Sequence, residues 1–207
     1  MILKALAISF LVAFGLGILF TSILRSAAIE YSFSLPPGGV GWEEQEEKID
    51  YELAFPGRIL PDSPLWFLKV ARDKLWLTLT PSKLRKAELS LLFADKRIVA
   101  SKILFEKGEY ELGTMILLKA EKYLEEAARL EQSCRDEGDD TGILTRRITF
   151  AALKHREEIA DILTIAPQDA TPDIIKIKNI TEGVFISERN ALQEKGEEAP
   201  KSPSEWD

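Results

Sequence analysis

Apolar residues are distributed along this chain in two different ways. Residues 5–24 contain no charged side chain, whereas from residue 63 onward apolar positions recur every three or four residues among charged ones. An uncharged run of that length, at about 1.5 Å rise per residue, spans roughly 30 Å as a helix and matches the hydrocarbon core of a bilayer. The recurring pattern is that of amphipathic helices, each turning one stripe toward a shared core.

Five such helices are predicted. Ser63 and Pro64 supply a cap and a first position for one running to residue 79, and Thr80 and Pro81 repeat the device for a second that ends near residue 107. The second helix carries Leu84, Ala87, Leu91, Ala94, Ile98 and Phe105 on a heptad-like seam in which only Ser101 is out of character. Gly108 ends it, and the single-residue break folds the next helix, residues 109–135, back as an antiparallel hairpin. That third helix presents Leu112, Ile116, Ala120, Tyr123, Ala127, Leu130 and Cys134. A turn at residues 136–140 leads to a fourth with Leu144, Ile148, Ala151, His155, Ile159 and Ile162 on one face. Thr171 and Pro172 open a fifth, bearing Ile174, Ile177, Val184 and Leu192, although its β-branched residues weaken the helical assignment. The expected fold is therefore all-α: an antiparallel bundle of four to five helices behind an N-terminal transmembrane or signal helix.

Residues 1–28 are expected to serve as membrane anchor or signal peptide, 29–50 as an acidic tether, 51–194 as the bundle and 195–207 as a disordered tail. The length of the apolar run favours a retained anchor. Ser26-Ala27-Ala28 offers the alternative, cleavage before Ile29 and secretion. With only four residues ahead of the run, the natural orientation places the bundle outside the cytoplasm.

Charge narrows the partners. Beyond residue 28 the chain carries 34 acidic and 25 basic side chains, a formal charge of −9 that disfavours general binding of nucleic acid. Residues 65–107 run the other way at +6. Lys69, Arg72, Lys74, Lys83, Arg85, Lys86, Lys96 and Arg97 in that stretch are the candidate face for an anionic envelope polymer or lipid head groups. Pairing with the acidic parts of the same chain is the competing use of those charges.

Candidate chemistry is sparse. Cys134 and His155 are single residues of their kinds, and a thiol–imidazole pair is a conceivable hydrolase. Both lie on apolar stripes, and neither a glycine-rich oxyanion loop nor an orienting third residue can be assigned. One cysteine also excludes an intramolecular disulfide framework. The acidic turn Asp136, Glu137, Asp139 and Asp140 lacks the spacing of a calcium loop, and no phosphate-cradling motif is present. No cofactor is expected.

The least random segment is Phe55-Pro56-Gly57-Arg58-Ile59-Leu60-Pro61-Asp62-Ser63-Pro64-Leu65-Trp66-Phe67-Leu68-Lys69, which reads as a rigid extended clamp across a bundle. With Lys83-Leu84-Arg85-Lys86-Ala87-Glu88-Leu89, Phe93-Ala94-Asp95-Lys96-Arg97, Glu106-Lys107-Gly108-Glu109-Tyr110, Ala120-Glu121-Lys122-Tyr123-Leu124 and Leu153-Lys154-His155, it resembles a bacterial family described only as domain of unknown function 5667. The resemblance covers roughly residues 51–163. It implies an exported or membrane-anchored helical protein, in some members similar to the outer portions of anti-sigma-type regulators, and it supplies no catalytic residues. The resulting expectation is a non-enzymatic, membrane-tethered module that binds a protein or an anionic polymer at the cell envelope. An envelope sensor acting through a partner protein is the alternative.

Overall fold

The computed structural model describes residue 49 and residues 51–203. The apolar run 5–24, most of the tether and Trp206 lie outside the described residues. Within them the chain is all-α: α1 (Trp66–Leu79), α2 (Lys83–Glu106), α3 (Tyr110–Asp136), α4 (Gly142–Ile165) and α5 (Thr171–Glu194). Among the described residues no helix is long and apolar enough to cross a membrane.

Helices α2 and α3 form one antiparallel hairpin and α4 and α5 another. Gly108 makes the first turn possible. Its φ of 80° lets the Gly108 amide reach Phe105 O at 3.0 Å and the Glu109 amide reach Leu104 O at 2.9 Å, closing the helix C-terminus. The same pair of bonds recurs at the end of α3, from Gly138 to Arg135 O and from Asp139 to Cys134 O. The hairpins pack with α3 against α5 and α2 against α4, so the short link from α3 to α4 crosses a diagonal of the bundle.

The predicted seams are the core. Leu91, Ala94, Ile98 and Phe105 of α2 meet Ile116, Ala120, Leu124 and Ala127 of α3, with Ile148, Ala151, Ile159 and Ile162 of α4 and Ile174, Val184 and Phe185 of α5. Even the β-branched stretch of α5 is helical, because tertiary burial of its isoleucines outweighs their weak helix propensity. Ser101, the polar member of the α2 seam, is buried and donates to Gly113 O at 2.8 Å. Two small residues bring α2 and α3 close there, and a Cβ on Gly113 would stand 2.8 Å from the Phe105 ring.

Two helix starts shift by a few residues. Helix α1 begins at Trp66, with Ser63 and Pro64 in the turn before it, and Ser82 rather than Thr80 caps α2 by accepting from the Arg85 amide. Thr80 instead closes α1, donating to Trp76 O at 2.8 Å. Pro64 sits in the turn before α1 and Pro81 in the linker before α2, two places where the missing N–H is not needed.

Residues 51–65 form a strap over the bundle, and α1 runs back along α2. Leu53 packs beside Ile98 and Ile159, while Leu60 and Trp66 pack on Ala100, Leu104 and Ile116. Asp62 pairs with Lys107 at 2.7 Å. The clamp expected from sequence is thus present. At the other end, the coil after α5 is tied back through Glu197 to Arg146 at 3.2 Å.

Candidate functional site

Halfway along the bundle the apolar core is interrupted by one polar layer with a residue from each of α2, α3, α4 and α5. Asp95 of α2, Glu121 of α3, His155 of α4 and Thr181 of α5 are all 2% exposed or less. His155 Nδ1 lies 2.8 Å from Glu121 Oε1, and Nε2 lies 3.2 Å from Asp95 Oδ1. Carboxylates only accept, so both ring nitrogens donate and the side chain is an imidazolium. Burial alone would lower its pKa, but the charge of Glu121 and the bonds to Asp95 and Glu121 raise it to about 10.

Each carboxylate takes a second donor. Thr181 Oγ1 donates to Glu121 Oε2 at 2.7 Å, and the Tyr51 hydroxyl donates to Asp95 Oδ2 at 2.9 Å. A single hydrogen-bonded chain, Tyr51–Asp95–His155–Glu121–Thr181, therefore connects the strap to all four bundle helices. A one-turn slip of any helix would leave a buried charge without its partner, which makes this layer a register lock.

Toward the α3–α4 turn lies a second buried acidic pair. Glu131 accepts from Thr141 and Thr145, each at 2.6 Å, and pairs with Arg135. Burial opposes its ionisation, yet these three donors hold its pKa below the usual carboxylate value. Glu188 of α5 is fully buried, and no hydroxyl, amide or cation donates to its oxygens. Burial, the neighbouring Glu131 charge and a proton shared with that carboxylate push it up to about 9, so it is protonated at neutral pH.

Under α1 sits a third arrangement. Asp73, the buried residue of that helix, accepts from Arg97 Nη2 at 3.3 Å and Arg72 Nη2 at 2.7 Å. Arg97 is 4% exposed, with its guanidinium over the Tyr123 ring at 4.3 Å and the Phe93 ring at 5.4 Å. Lys69 donates to Pro56 O and to Ile59 O, fastening the strap, and sits 4.7 Å over Trp66. Burial pushes the Lys69 pKa down to about 8; the Asp73 charge opposes this, and Lys96, Arg72 and Arg97 add to it.

The eight basic residues picked out in the sequence therefore separate. Lys69, Arg72, Lys96 and Arg97 converge around Asp73, with Arg97 inside the protein rather than on a face. Lys83 pairs with Glu137, the residue just after α3, and Arg85 with Glu88 at 2.9 Å. Lys74 is exposed on α1 and Lys86 half-buried on α2.

Both ring nitrogens of His155 are held by carboxylates, so neither serves Cys134 as a base. Cys134 is itself buried, which raises its thiol pKa. Among the described residues no cluster of three or more His, Cys, Asp or Glu has the disposition of a metal site. Trp66 and Trp76 are both part-buried, Trp76 edge-on to Phe93 at 6.1 Å, so they present no open aromatic face for a sugar. Sequence reasoning placed His155 in the core but missed Asp95, Glu121 and Asp73. The available signal was His155 itself: an imidazole at the centre of an apolar stripe demands acceptors on the facing helices.

No curated protein and no solved structure matches the chain. A family model does, over residues 58–169, from the strap through α4 to the α4–α5 link, and the chain accordingly belongs to the family described as domain of unknown function, DUF5667.

Proposed function

We propose that the chain is a membrane-tethered helical module held outside the cytoplasm, which binds a partner at the cell envelope and carries out no reaction of its own. The observation that carries this reading is the inversion of α1. That helix buries Asp73 and leaves Leu68, Leu75 and Leu79 in solvent, between 44% and 68% exposed, with Leu65 and Phe67 beside them. A helix with its acid inside and its leucines outside is built to be covered. The bundle beneath it is internally registered by the Tyr51–Thr181 chain and offers a rigid platform. The uncharged run 5–24 supports the tether, and the acidic stretch that follows it suits a solvated spacer.

Proximity labelling from the C-terminus, read by mass spectrometry, tests the proposal. Envelope and membrane proteins among the labelled neighbours support it. Recovery of cytosolic proteins alone overturns it.

A further inference from the structure

Large apolar side chains in solvent are not spread evenly over this protein. Seven of the fourteen among the described residues fall between positions 55 and 79, on the strap and α1. At 100° per residue, Leu68, Leu75 and Leu79 of α1 lie within a narrow sector, with Leu65 and Phe67 to either side. Phe55, 74% exposed, belongs to the strap segment that Lys69 fastens to α1. Along one edge of this stripe, where α1 meets α2, stand Lys69, Arg72 and Lys96 around Asp73, with Arg97 buried behind them. Lys74 projects from the other edge. An apolar stripe with cations on both flanks is the pattern of a helix lying in the interface of an anionic bilayer.

Two further observations select a membrane as the occupant. The strap is the continuation of the N-terminal part of the chain, so the patch is the portion of the fold nearest in sequence to the apolar run 5–24. The intervening residues 25–48, at no more than about 3.5 Å each, allow the bundle to stand away from the bilayer but equally to lie on it. The remaining observation is electrostatic. Burial first, and the neighbouring cations after it, hold Lys69 and Lys96 below the usual lysine pKa, while Asp73 opposes this at both and Asp95 at Lys96. A phosphate brought to that edge relieves their mutual repulsion.

We propose that α1 and the strap dock the bundle on an anionic phospholipid surface, with Phe67, Leu68, Leu75 and Leu79 in the acyl boundary and the Lys69–Arg72–Lys96 edge and Lys74 at the lipid phosphates. The inference rests on the tethering reading above and names the surface that α1 meets.

The test uses the full chain in vesicles of phosphatidylcholine with and without phosphatidylglycerol. A bimane label is placed at Leu75→Cys in a Cys134→Ser background, and a second preparation carries it at Ile186→Cys on α5, diagonally across the bundle from α2. Flotation reports the tether, and quenching by brominated acyl chains reports docking. Docking predicts that the Leu75 label is quenched at least about twofold more than the Ile186 label in vesicles with phosphatidylglycerol. It also predicts that the difference collapses in high salt, in pure phosphatidylcholine and in the Leu68→Glu variant. A chain that floats while both labels are quenched alike overturns the docking inference and leaves the tether standing. A Leu75 label shielded in every lipid, with cross-linking between Leu75→Cys copies, overturns it in favour of self-association. A chain that does not float overturns both.

Discussion

Replacing His155 by leucine removes the cation that bridges two buried carboxylates. Asp95 and Glu121 would each retain a single donor, Tyr51 and Thr181 respectively. Breaking a buried ion pair from one side costs about 3–5 kcal/mol. Linkage gives a similar figure. An imidazole raised from 6.5 to about 10 on folding contributes at most about 5 kcal/mol. Its sign is definite. Below pH 6.5 both folded and unfolded states hold the proton and the contribution is complete. As pH rises toward 10 only the folded state holds it, so stability declines, and above 10 the contribution is gone. Urea unfolding followed by far-UV circular dichroism should therefore show a His155→Leu deficit of about 3–5 kcal/mol near neutral pH that shrinks as pH climbs toward 10. Glu188 also titrates on this side of neutrality, but it is common to both proteins and cancels in their difference. A deficit that is the same at every pH would mean that His155 acts by shape alone. A deficit under about 1 kcal/mol would refute the register lock outright.

Other perturbations follow from the same geometry. Glu188→Leu removes a buried carboxyl that folding forces to hold its proton beside Glu131 and should stabilise the protein by about 1–3 kcal/mol at pH 8, with the gain vanishing as pH falls toward 4.5, where the unfolded carboxyl is also protonated; denaturation at the two pH values checks this. Gly113→Ala drives a methyl against the Phe105 ring, and a loss of about 1–3 kcal/mol is expected in thermal unfolding. Tyr51→Phe deletes one donor to Asp95; hydrogen exchange should rise in the strap and leave α3 and α5 protected, at a cost of about 1 kcal/mol. Arg97→Ala leaves Asp73 buried with Arg72 alone, so exchange across α1 should accelerate while the α4–α5 hairpin is unaffected.

The bundle was readable because its signal is periodic. Each seam, from Ala87 to Phe105 or from Leu144 to Ile162, repeats often enough to define a face, and Gly108 marks its hairpin without ambiguity. The polar layer was not readable for the opposite reason. Asp95 and Glu121 sit immediately after the seam residues Ala94 and Ala120, where a charged side chain ordinarily turns to solvent, and only the fold brings them to His155. Arg97 misled in the same way. Placed beside Ile98, it reads as surface charge, yet its length lets it reach Asp73 and lie over Tyr123. The exposed face of α1 was hidden by its own composition. Trp66, Phe67 and Leu68 look like one apolar block, but consecutive residues are 100° apart, so a helix that packs Trp66 inward must turn Phe67 and Leu68 out.

Work at a membrane, on the side away from the cytosol, is what the proposed function requires of this bundle. Two fusions to the C-terminus, in separate strains, decide it: an alkaline phosphatase active only after export and a fluorescent protein that matures only in the cytosol. A tethered, exported bundle gives phosphatase activity that sediments with membranes and a dark fluorescent fusion. A bright fusion recovered in the soluble fraction, with an inactive phosphatase, would contradict it.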